Sequence, residues 1–317
     1  MRRQVMRRWG RAMRNPWNAV VFPNDNYVHS DDRLAWSEPV RYPPQPYLSS
    51  FITGKVMWLL GGFGTGDNMA IDHHIYRERV LAWAKENLAG DLPNTPSLWL
   101  GTRECNPGFL QTRDVRWWRG ATNALFQAMM PSVGENKARI IVAERLFVLE
   151  AFPYPARDRP NRQLPTHKYS AYLLQEWLRS GRPVVVGRAK RFWCELVPQL
   201  ADALGSGQAV LTRNVQKASI SPGNLQGGLL AFQRIVSSLL AERALFEERT
   251  SSVDEDLKHS HLTYRKICLD TVMGAARGMD HSEGAPEHKL SKRASFEERP
   301  SYVEEVKRRQ LTSQELT

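Results

Sequence analysis

Pro183-Val184-Val185-Val186-Gly187 is the clearest buried strand in the chain. Three consecutive β-branched residues leave no polar face, and the flanking Pro and Gly punctuate the run. Strands covered on both sides read this way. Outward from it, helical and extended textures alternate. On the N-terminal side, Tyr169 to Leu178 reads as a helix. Ile140 to Leu149 reads as an apolar, partly β-branched strand, ended by Phe152-Pro153-Tyr154-Pro155. Trp117 to Met130 reads as a helix stopped by Pro131, and Ser97 to Thr102 as a short first strand. On the C-terminal side, Ala189 to Leu204 is helical and Ala209 to Ser219 extended. The turn Ser221-Pro222-Gly223-Asn224 follows, then a final helix from Leu229 to Leu245. Short strands alternating with helices predict a three-layer αβα domain with a short, mostly parallel central sheet. In such sheets the working residues sit in loops at the carboxyl ends of strands.

These readings predict an α/β domain over residues 96–250. Residues 1–95 form an N-terminal extension in three parts. Six arginines fall within the first fourteen residues, a Pro- and aromatic-rich wrapper or loop spans residues 15–50, and Asp67 to Leu88 is an amphipathic helix. Between them, Gly61 to Gly66 lacks the GK[ST] ending of a phosphate loop and reads as a flexible loop. The adjacent His73 and His74 diverge on a helix and do not form a metal-binding pair. Residues 251–317 are charged and weakly apolar, a mobile or loosely helical tail.

The chain has 317 residues, with 44 Lys+Arg against 33 Asp+Glu. Residues 96–250 hold 21 basic and 12 acidic side chains and residues 1–50 hold 8 and 4, so the excess lies in the domain and the extreme N-terminus and not in a detachable tail alone. A basic folded domain predicts nucleic acid as partner over a small acidic substrate; the alternative is a solvated basic face. The three cysteines are too few and too scattered for a disulfide framework, a Cys-ligated cluster or a Cys-only zinc site. The apolar run Val56 to Leu60 is far too short to span a bilayer. The expectation is a cytoplasmic, nucleoid-associated monomer with no metal, cofactor or membrane partner.

Four loops follow the four expected strands. They are Glu104-Cys105-Asn106-Pro107-Gly108-Phe109, then Glu150-Ala151-Phe152-Pro153-Tyr154, then Gly187 to Trp193, and last Asn214 to Leu225. Here residues 97–245 resemble the uracil-DNA glycosylase superfamily, closest to its mismatch-specific uracil/thymine branch. The Asn-Pro-Gly turn looks like that branch's first motif, and Ser-Pro-Gly-Asn-Leu like a degenerate second one.

The resemblance implies a monofunctional DNA glycosylase on double-stranded DNA. It would flip a pyrimidine out of the duplex and hydrolyse its N-glycosidic bond. An abasic site would remain for a downstream nuclease. Asn106 would orient the attacking water; alternatively it caps the turn before Pro107. Gly108 stands where strict uracil enzymes carry a blocking Tyr, so a C5-substituted base would enter. Alternatively Gly108 serves the turn. Glu150 would accept from an exocyclic amine or act on the water, or pair with Arg145 or Arg157. Cys105, Phe109, Trp117, Trp118 and Tyr154 line the expected base pocket, with core packing as the alternative for the aromatics. Arg188, Lys190, Arg191, Lys217 and Ser219 would meet phosphates, or form a solvated face. Leu225 or Asn224 would wedge into the emptied stack. No His lies between His167 and His259, so Ser221 and Asn224 are left to donate to the departing base. The expected substrate is a damaged or C5-modified pyrimidine. Hypermodified cytosine in phage DNA, with a role in antiviral defence, is one such case. The alternative is a catalytically silent protein of the same fold that binds DNA or a protein.

Overall fold

The computed structural model describes residues 13–22, 26–36, 39–62, 69–101, 107–155 and 163–241. In chain order they form β1 (Tyr47–Ser50), β2 (Val56–Leu60), α1 (His74–Leu88), β3 (Asn94–Thr95) and α2 (Pro107–Leu110). Next come α3 (Arg113–Val133), α4 (Glu135–Arg145), β4 (Leu146–Glu150), α5 (His167–Arg179) and β5 (Val184–Val186). Last are α6 (Lys190–Leu196), α7 (Gln199–Gly205), β6 (Ala209–Leu211) and α8 (Gly228–Leu240). The six strands make one sheet in the order β3-β1-β4-β2-β5-β6. The run β4-β2-β5-β6 is parallel, while β1 pairs antiparallel with β3 and β4.

All five residues of β2 and of β4 are buried, because both faces of the sheet are covered. Val56, Trp58 and Leu60 pack with Leu146 and Val148 against residues of α1, α3, α4 and α8. Their alternates Met57, Leu59, Phe147 and Leu149 face α5, α6 and α7. Trp17, Val28, Trp36 and Val40 of the N-terminal segment complete that second core. A mixed α/β sheet thus lies between two helical layers, as the alternation of strands and helices predicts. Among the described residues, no helix is long and apolar enough to cross a membrane.

The structure differs from the sequence reading in where the elements begin. The expected first strand, Ser97 to Thr102, is a turn over its described residues, with Leu98, Trp99 and Leu100 buried in it. The strand that opens the parallel set is Val56–Leu60, so the sheet runs across the expected boundary at residue 95. A short apolar run carries no period of its own. Backbone partners decide, and Val56–Leu60 finds β4 on one side and β5 on the other. Ile140 to Leu149 divides at Arg145, helix before and strand after. Pro131 lies within the last turn of α3, which ends instead at Gly134 with φ 78°. Ala189 to Leu204 is two helices parted at Val197-Pro198, and the expected extended stretch from Ala209 is strand only to Leu211. The arginine-rich arm to residue 12 and the 251–317 tail lie outside the described residues.

Candidate active site

The chain leaves β2 toward the helices on one face and leaves β4 and β5 toward those on the other. In sheets of this kind, strands whose connections part in this way are where ligands bind, beyond the carboxyl ends. The backbone there is closely tied. Ala151 N–H donates to Leu60 O at 3.1 Å, and Gly187 N–H to Leu59 O at 2.8 Å. Trp193 Nε1 donates to Leu60 O at 3.0 Å. Gly61-Gly62, Glu150 and Gly187-Arg188 stand at the carboxyl ends of β2, β4 and β5.

Glu150 ends β4 in register with Leu60 and is 2% exposed. A second buried carboxyl, Asp114, lies in the first turn of α3. It accepts Ala70 N–H at 3.2 Å and Val115 N–H at 3.1 Å. Ala70 lies in the segment that leads into α1, so Asp114 holds that segment against the start of α3. Burial raises its pKa above the ordinary carboxylate value, against the pull of the hydrogen bonds it accepts.

An aromatic column rises from the central strand. Trp58 stacks on the partly buried Trp117, with centroids 6.0 Å apart and planes 8° apart. The Arg188 guanidinium lies 5.4 Å from the Trp117 centroid. Arg188 also donates to Val215 O at 2.8 Å and to Gln216 O. The loop after β5 thereby holds the loop after β6.

The sequence-predicted residues separate into three groups. Cys105 and Asn106 lie outside the described residues. Trp117 and Arg188 come together over Trp58, Glu150 ends β4, and Lys190, Arg191 and Lys217 are exposed; Arg191 pairs with Glu195 at 2.7 Å. Most of the others lie in the core or hold their own loops. Phe109 is fully buried between Tyr76 and Trp99. Trp118 is fully buried edge-on to Trp58. Leu225 is a core residue and cannot wedge into a base stack. Tyr154 is buried with its hydroxyl donated to Asp32 at 2.6 Å; burial and that carboxylate raise its pKa. Asn224 spans its own loop, accepting Asn214 N–H at 2.7 Å and donating to Ser219 O at 2.8 Å. Its amide is committed to loop shape, not to a departing base. Ser221 supplies its carbonyl to Asn224 N–H and Leu225 N–H, both at 3.1 Å. Gly108 is exposed in α2.

Sequence reasoning missed Trp58, Asp114, Asp32 and His167. Only Asp114 had a local signal, an acid in the first turn of a long helix. His167 opens α5 behind the β4 turn. Its Nδ1 accepts Leu164 N–H at 2.8 Å, and its ring lies edge-on to Phe152 and Phe192. Burial lowers its pKa to about 4, outweighing the opposing pull of Asp32 and the Ala151 backbone. Among the described residues, no group of three or more His, Cys, Asp or Glu is placed to hold a metal ion. Compared with protein-family models, curated proteins and solved structures, the chain matches none of them.

Proposed function

We propose that the chain is a DNA glycosylase that hydrolyses the N-glycosidic bond of a flipped-out, damaged or C5-modified pyrimidine. The observation that carries this reading is Glu150, a buried carboxyl at the end of a central parallel strand, with exposed basic residues on the segments that follow β5 and β6. Departure of the base leaves a cationic, oxocarbenium-like sugar. A carboxylate at that point orients the attacking water, takes up its proton and stabilises the positive charge. Arg188 and the exposed Lys190, Arg191, Arg213 and Lys217 supply the positive field that phosphates need. Asn106 keeps its proposed role as water-orienting partner. It precedes α2 and so stands close in sequence to Asp114, which holds the segment ahead of α1.

The test is a single-turnover assay on duplexes carrying uracil, mismatched thymine, hydroxymethylcytosine or glucosylated hydroxymethylcytosine, with alkaline cleavage of abasic sites. At least one duplex is expected to yield product. Glu150→Gln is expected to slow it by on the order of 100-fold or more without weakening DNA binding. Absence of product across the panel overturns the enzymatic reading.

A second reading is a silent protein of the same architecture that binds DNA or a protein. The committed amide of Asn224 favours it, because it removes one of the two donors expected for the departing base. Salt-sensitive duplex binding without product is its signature.

A further inference from the structure

The segment ahead of β1 meets the turn that leaves Glu150 at successive residues. Glu150 N–H donates to Pro46 O at 2.9 Å, and Gln45 N–H to Pro153 O at 2.6 Å. His29 N–H donates to the Tyr154 hydroxyl at 2.9 Å. Trp17 and Trp36 pack against the Tyr154 ring, with centroids 5.9 and 5.1 Å away. At the centre is Asp32, with 0% of its surface exposed. Its carboxylate accepts the Tyr154 hydroxyl at 2.6 Å, the Thr166 hydroxyl at 2.7 Å and Thr166 N–H at 3.1 Å. Tyr154 closes the turn after β4, and Thr166 immediately precedes α5. One carboxylate from a distant part of the chain therefore holds both stems of the β4–α5 connection.

A buried charge is costly unless its donors are in place, and an apolar side chain would fill the space without that cost. What the carboxylate adds is direction. Three donors converge on it, and they fix Tyr154 and, through the short turn, Glu150. The same segment also reaches the chain ahead of α1, where the Tyr42 hydroxyl donates to Asp72 at 3.0 Å.

We propose that Asp32 is a positioning residue for Glu150. The N-terminal segment around it is then a working part of the site and not only a cover over the core. This assignment rests on the reading of Glu150 as the reacting carboxyl.

The test uses the full chain with Asp32→Ala, Asp32→Asn and Tyr154→Phe. Amide exchange is read segment by segment. Single-turnover cleavage and equilibrium binding are measured on whichever duplex the wild-type chain cuts. Exchange over residues 150–155 is expected to quicken by about tenfold in Asp32→Ala and Tyr154→Phe, with β2 and α3 unchanged. The cleavage rate is expected to fall on the order of 100-fold in Asp32→Ala while duplex Kd stays within about twofold. Asp32→Asn keeps an acceptor for Thr166 N–H and is expected to recover about tenfold of that rate. Uniformly faster exchange, unchanged exchange at 150–155, or a rate loss matched by a loss of affinity would overturn the proposal. If Asp32→Ala does not fold, Tyr154→Phe, which removes one hydroxyl, decides the matter. If the wild-type chain cuts no duplex, the glycosylase reading fails, and the exchange pattern alone decides whether Asp32 sets the turn.

Discussion

Gly187 shows how a single residue is held by a neighbour far away in sequence. A Cβ there would come within 2.5 Å of Trp58 Nε1, 3.0 Å of Leu60 Cδ2 and 3.2 Å of Leu59 O. The last is backbone in a buried strand and cannot yield. Gly187→Ala is expected to cost about 2 kcal/mol, read as a lower urea midpoint at unchanged m-value. Asn224 gives a contrasting case at the same scale. Its amide joins the two arms of its loop, so Asn224→Ala is expected to lose about 1–2 kcal/mol of stability. A catalytic donor would instead lose rate at constant stability. His167 sets a pH dependence. Its pKa is about 4 in the fold against 6.5 when free. Between these values the unfolded chain binds a proton that the folded chain does not. The stability tied to this group is therefore whole above pH 6.5, falls as the pH drops from 6.5 to 4, and stays lost below. The drop is about 3 kcal/mol. Urea melts across that window will show it, and His167→Asn, which keeps an acceptor for Leu164 N–H but does not titrate, will flatten it.

At the scale of elements, the edge of the sheet works as coupled loops. Arg188 joins the loop after β5 to the exposed stretch Arg213 to Lys217, and Trp117 carries both on the central strand. Arg188→Ala is expected to speed tryptic cleavage after Arg213 and Lys217 several-fold while leaving the helices intact by circular dichroism. Element type was legible where a segment was long or strongly marked. The helices over Trp117–Met130 and Tyr169–Leu178, and the strand Val184–Val186, stand where their composition predicts. Short apolar runs were not legible. Leu98-Trp99-Leu100 and Val56 to Leu60 have the same texture, and nothing local tells a buried turn from a central strand. Phe109 and Trp118 show the matching limit for the site. An aromatic that follows a motif reads alike whether it faces a ligand or the core, and here both face the core.

For the whole molecule, the sheet defines the folding unit. Its parallel core needs β2, and its second hydrophobic core needs Trp17, Val28, Trp36 and Val40. A fragment of residues 96–250 is therefore expected to remain unfolded, without dispersed amide signals in an NMR spectrum. Residues 13–241 are expected to fold cooperatively. Class, basic character and the loops worth inspecting were readable from residue order, because strand propensity, turn chemistry and net charge belong to short stretches or to sums over the chain. The place of Glu150 at the end of its strand was readable too, since it directly follows a buried run. Tertiary structure alone revealed that Val56–Leu60 is the central strand, that Asp114 and Asp32 stand beside loops remote from them in sequence, and that Asn224 and Tyr154 are spoken for. Each of these facts is a pairing between distant residues. A buried strand or carboxyl is defined by the partners that satisfy its hydrogen bonds, and those partners are chosen only when the chain closes on itself.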